Sequence, residues 1–82
     1  MLLKEPFPIA KIHVPVKRVK TLDAAKVAEL AADILENGQT TPIRVRSDGE
    51  RFVLIEGYHR LEALRALGEA NIIGYLVKGR LL

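Results

Sequence analysis

Apolar side chains at Val27, Leu30, Ala31, Ile34 and Leu35 recur at i, i+3, i+4, i+7 and i+8, the spacing that lines one face of an α-helix. A helix over 24–36 with one buried stripe is the prediction. Asp23 stands where an N-cap carboxylate belongs, and Asn37-Gly38 offers a left-handed stop after the last turn. Beyond Pro42 the period changes to two. Ile43, Val45, Phe52 and Leu54 alternate with Arg44, Arg46, Arg51, Val53 and Ile55 about Asp48-Gly49, a dipeptide suited to a tight hairpin turn. Taken as the turn, it pairs Val45 with Phe52 and Ile43 with Leu54. Glu56 then shares the parity of Phe52 and Leu54 and points to the apolar side, where a carboxylate needs a partner or a task.

The apolar run 52–55 leads into Glu56-Gly57-Tyr58-His59-Arg60, and a Leu/Ala-rich helical run over 61–67 leads out. Gly68 sits where a C-cap glycine belongs, and 71–77 reads as a last strand. Strand, helix and strand in that order imply a right-handed crossover joining parallel strands. Toward the N-terminus, Pro6 and Pro8 mark 3–8 as a broken tail, and 9–14 reads as a short strand closed by Pro15. The expected fold is α+β: a small mixed β-sheet with a helix before a β-hairpin and a β-α-β crossover after it.

Composition narrows the classes. With 82 residues, the chain is expected to form a single domain over 1–82, and 49% apolar with 28% charged residues suits a folded one. The chain has no cysteine, which excludes disulfides, thiolate zinc sites and thiol catalysis. No apolar stretch approaches the roughly 20 residues that span a bilayer, and the N-terminus lacks the order of a signal peptide. No membrane partner and a cytoplasmic location are therefore expected. The net charge of +3 permits an anionic partner. Lys11, Lys17, Arg18 and Lys20 crowd the segment before the first helix, as either a solvated basic loop or a phosphate-facing one.

The junction 57–60 carries the chemistry. The first N–H groups of a helix lack intrahelical partners and sit at the positive end of its dipole, so a phosphate can be held there by backbone and side chains together. Gly57 either lets the backbone approach a phosphate or permits the sharp turn. Arg60 can grip phosphate oxygens bidentately, or pair with Glu56 or Glu62. His59, on the same turn, can donate to a phosphate. The ring of Tyr58 suits packing or walling a pocket better than chemistry.

These pieces in this order resemble the ParB/sulfiredoxin superfamily over about 9–77. The matching residues are 22–27 at the first helix, Gly38 with Pro42-Ile43-Arg44-Val45, and Gly57-Tyr58-His59-Arg60 with Glu62-Ala63 and Leu67-Gly68. The resemblance implies a nucleoside triphosphate site. Sulfiredoxins carry Gly-Cys-His-Arg at the junction, with a cysteine nucleophile and a His-Arg pair on ATP; ParB proteins carry Gly-Glu-Arg-Arg and hold CTP. Here Tyr58 replaces the cysteine, so reduction of a sulfinic acid has no thiolate to begin it. Nor does the chain reach a helix-turn-helix before Leu82, so a whole partition protein is not expected. The resemblance also implies nucleotide contacts from Lys26 and, in a looser alignment, from Lys17 and Arg18. Two functions compete. One is a Mg²⁺-dependent hydrolysis or transfer of phosphate from ATP or CTP, with His59 and Arg60 holding the phosphates and Glu56 positioning water or an acceptor hydroxyl. The other is a non-catalytic module in which the nucleotide switches contact with DNA or a protein partner. A nuclease ranks last, because no paired carboxylates or histidines suggest a two-metal site.

Overall fold

The computed structural model describes residues 3–78. Its elements are β1 (Lys4–Pro8), a 3₁₀ turn (Ile9–Lys11), β2 (Ile12–His13), α1 (Val16–Val19), α2 (Ala24–Asn37), β3 (Ile43–Asp48), β4 (Arg51–Glu56), α3 (Tyr58–Ala66) and β5 (Asn71–Leu76). The strands form one mixed five-stranded sheet in the order β1-β5-β3-β4-β2. The expected α+β class holds. Ile43, Val45 and Leu54 from the middle of the sheet, Ile72 from β5 and Leu61 from α3 are fully buried. α2 adds Ile34 to this core and packs Val27, Leu30 and Ala31 against it, but Leu35 is exposed. The buried stripe of α2 is thus one residue narrower than its periodicity suggests. No helix among the described residues is long and apolar enough to cross a membrane.

Local signals account for the helix ends. The Asp23 carboxylate accepts from the N–H groups of Ala25 and Lys26 at 2.9 and 3.4 Å, as a cap should. After α3, the N–H of Gly68 donates to the carbonyl of Arg65 and that of Glu69 to the carbonyl of Leu64. This 5→2 and 6→1 pair needs a left-handed residue, and Gly68 has φ 79°.

Five expectations need correction. The 3–8 tail is a strand: β1 pairs antiparallel with β5, with Pro6 opposite Ile73 and Phe7 opposite Ile72. Both prolines are tolerated because β1 is an edge, where an absent N–H costs no ladder bond. The strand expected over 9–14 shrinks to Ile12–His13, since Ile9–Lys11 coils into the 3₁₀ turn, and α1 follows unforeseen. In the hairpin, Asp48 pairs with Arg51 and Val45 with Leu54, so the loop is Gly49-Glu50, one residue later than expected. The parity of the faces survives that slip as far as Leu54. A bulge then leaves Ile55 out of the ladder and sets Glu56 opposite Arg44, on the face away from the core. Finally, the crossover through α3 is present, but β5 runs parallel to β3, with Ile43 opposite Gly74, and so antiparallel to β4.

The join between β3 and β5 has a side-chain extension. Gln39 Nε2 donates to the Ile73 carbonyl, and Gln39 Oε1 accepts from the Ile73 N–H, each at 2.8 Å. The Gln39 amide thus acts as one more strand residue just before the β3 ladder begins.

Candidate functional site

β4 delivers the chain to Glu56, and Gly57 turns it into α3 with φ 107°. A β-carbon at Gly57 would lie 2.5 Å from Ile43 Cγ2 and 3.0 Å from Ile43 Cβ. Glycine is therefore required twice, by its left-handed backbone and by close packing on a fully buried residue. It supplies no side-chain cap, so the first turn of α3 presents its N–H groups without a side-chain partner. The helix itself begins well, with the Leu61 N–H on the Gly57 carbonyl at 2.9 Å.

The next three residues diverge. Tyr58 is only 8% exposed and belongs to the core, so its ring packs rather than standing open beside the junction. A thiol at position 58 would likewise be sheltered, not exposed. His59 is half-buried, and its Nε2 accepts a hydrogen bond from the Asp23 backbone N–H at 3.0 Å. That bond ties the start of α3 to the start of α2. Arg60 is half-buried, and among the described residues it enters no ion pair. Its two sequence-suggested partners are engaged elsewhere: Glu56 lies 3.6 Å from Arg44 Nε, and Glu62 lies 3.3 Å from Arg65 Nε. Arg60 is left as a cation on the first turn of an uncapped helix.

Arg18 joins this group from α1. Its guanidinium donates to the carbonyl of Ile55, the residue that the bulge excludes from the ladder. Arg18 is thereby anchored two residues before Gly57, and Thr21 Oγ1 steadies it by donating to the Arg18 carbonyl at 2.7 Å. Lys17 is exposed on the same short helix. Lys26 is also exposed, on the first turn of α2 beside the Asp23 cap, and lines a shallow groove of about 420 Å³ with Glu29, Leu30 and Asp33. A second groove, of about 450 Å³, lies between the C-terminal ends of α2 and α3. Neither groove is lined by residues 57–60.

Glu56 differs most from its expected place. Its side chain is 74% exposed, and its neighbour is Arg44. The partner that a carboxylate at a strand end needs is supplied by the bulge, which cannot be seen in the alternation of residues. The link from Asp23 to His59 was also missed. The cap was legible, but nothing local in the chain reports a contact 36 residues away.

Residues 5–79 match the family model for the ParB N-terminal domain. Over 62 residues, the chain is 37% identical to a probable chromosome-partitioning protein ParB of Campylobacter jejuni, a match covering 76% of this chain and 22% of that protein. The chain thus spans about a fifth of the length of this relative. Among solved structures, sulfiredoxin from Arabidopsis thaliana is 32% identical with a TM-score of 0.84, over 94% of this chain and 86% of that one. A C-terminally truncated ParB from Caulobacter crescentus complexed with CTP-γ-S has a TM-score of 0.78 at 19% identity, over 96% of this chain and 45% of that one. The latter is a likeness of fold.

Proposed function

This chain belongs to the ParB N-terminal domain family, within the ParB/sulfiredoxin superfamily, and on that premise we propose that it binds a nucleoside triphosphate, CTP or ATP, at residues 57–60. The observation that carries the reading is Arg60, an arginine without an ion-pair partner among the described residues, on the first turn of a helix that has no side-chain cap. An anion there gains the helix dipole, free N–H groups and a bidentate guanidinium together. His59 turns its Nδ1 edge to the phosphates while Nε2 holds Asp23, Arg18 and Lys26 supply further positive charge, and Lys17 lies at the margin. Tyr58 contributes from below as the packed floor of the junction. The CTP-γ-S bound by the Caulobacter protein, on the same fold, supports this choice of ligand.

The domain acts, in this reading, as a nucleotide-occupied binding module with DNA or a protein as its partner, in a cytoplasmic setting. Mg²⁺ would accompany the nucleotide on its phosphates. Hydrolysis or transfer of phosphate is the second reading. It requires Glu56 at the junction, and the bulge that sets Glu56 opposite Arg44, on the face away from the core, speaks against that. Titrating the purified protein calorimetrically with CTP, ATP and GTP in the presence of Mg²⁺, followed by product analysis, tests both. Saturable binding of CTP or ATP without phosphate release is expected. Absence of binding to all three nucleotides overturns the proposal, and steady phosphate release favours the second reading.

A further inference from the structure

The sheet has two faces, and α2 and α3 pack on only one. Residues paired across neighbouring strands point to the same face, so the register places Lys4, Tyr75, Arg44 and Glu56 in one row across β1, β5, β3 and β4, on the face away from the core. Arg46, half-buried, lies two residues further along β3 on that face, opposite Val53, which is itself buried. The Arg44 guanidinium sits 5.7 Å from the centre of the Tyr75 ring, and Arg44 Nε lies 3.6 Å from Glu56 Oε1. Among the described residues, Lys4 and Arg46 enter no ion pair, and Glu56 is the acid in this row. An aromatic ring flanked by cations therefore stands on a sheet surface that neither long helix covers.

We propose that this face binds single-stranded nucleic acid, with a base stacking on the Tyr75–Arg44 pair and Lys4, Arg44 and Arg46 taking the adjoining phosphates. Charge complementarity selects a polyanion, and Tyr75 selects among polyanions. A nucleotide strand offers a π-face and a phosphate at every residue, whereas an acidic peptide offers charge alone. A duplex keeps its bases stacked on one another and has none to lay on a flat sheet. Glu56 is no obstacle, because an exposed ion pair is weak and a phosphate can replace its carboxylate on Arg44. The residues that would hold the strand are not those assigned to the triphosphate, so this proposal stands whether or not a triphosphate binds at 57–60.

Fluorescence anisotropy of a labelled twelve-residue oligothymidine tests it, with a labelled hairpin duplex and a labelled oligoglutamate as competitors in class. The wild-type protein should bind the single strand more tightly than either, and more weakly as salt rises. Tyr75→Leu, which keeps apolar bulk but loses the ring, should weaken binding by about tenfold, within the range for one stacked base. Arg46→Glu should weaken it as much, while Arg60→Ala should leave it unchanged. Circular dichroism melting confirms that each variant is folded. Equal or tighter binding of the duplex or of oligoglutamate, no binding of the single strand, or indifference to both Tyr75→Leu and Arg46→Glu overturns the proposal.

Discussion

The backbone N–H of Asp23 donates to Nε2 of His59 at 3.0 Å, so the residue that caps α2 and the second residue of α3 hold each other in place. Two helix starts, far apart in the chain, become one surface through that bond. His59→Ala should free the Asp23 N–H and loosen the first turn of α2, at about 0.5–1.5 kcal/mol for one hydrogen bond. Hydrogen exchange at Asp23 and Ala25 should quicken relative to the middle of α2. Unchanged exchange at both would show that the bond does not position the helix.

Gly57→Val should do far more harm. The new side chain must adopt φ 107° and would place its β-carbon 2.5 Å from Ile43 Cγ2, inside the core. Backbone strain and overpacking together cost about 2–4 kcal/mol. For a domain of this size, that lowers the melting temperature by roughly 10 °C or more. A variant that melts like the wild type would remove the argument for the hinge.

Gln39→Ala should weaken the seam between β3 and β5. It removes both bonds to Ile73 and a third, from Gln39 Nε2 to the Thr41 carbonyl at 3.0 Å. The part-buried amide of Ile73 is then left without that partner, a loss of about 1–3 kcal/mol by urea denaturation. An unaltered urea midpoint would mean that water replaces the side chain without cost.

Glu56→Gln should change little. The pair with Arg44 is exposed on both sides, and such pairs are worth less than about 1 kcal/mol. Nucleotide affinity and any phosphate release should match the wild type. Retained affinity with lost release would instead identify Glu56 as a group acting on the phosphate.

The parts of the fold that were legible in the chain are those specified by near neighbours. α2 announces itself through a four-residue rhythm and a cap at Asp23, and α3 through the glycines on either side of it. β1 was hidden because Pro6 and Pro8 speak against a strand, and only the position of β1 at the edge of the sheet makes them acceptable. The hairpin faces were legible from alternation, since sliding the turn from Asp48-Gly49 to Gly49-Glu50 preserves parity. The bulge at Ile55 breaks that parity, and with it the expected direction of Glu56. At the junction, Arg60 could be picked out by residue type. Its lack of an ion-pair partner could not, because that depends on Arg44 and Arg65 drawing away the two glutamates.

Isothermal titration of wild-type and Arg60→Ala protein with CTP and with ATP, in the presence of Mg²⁺, tests the central claim most directly. Removing a charge-assisted contact should weaken binding by about 1.5–3 kcal/mol, a loss of roughly 10- to 150-fold in affinity. The melting temperature should stay within about 2 °C, because Arg60 enters no ion pair among the described residues. A folded Arg60→Ala variant that binds the nucleotide as tightly as the wild type would contradict the assignment of the phosphates to residues 57–60.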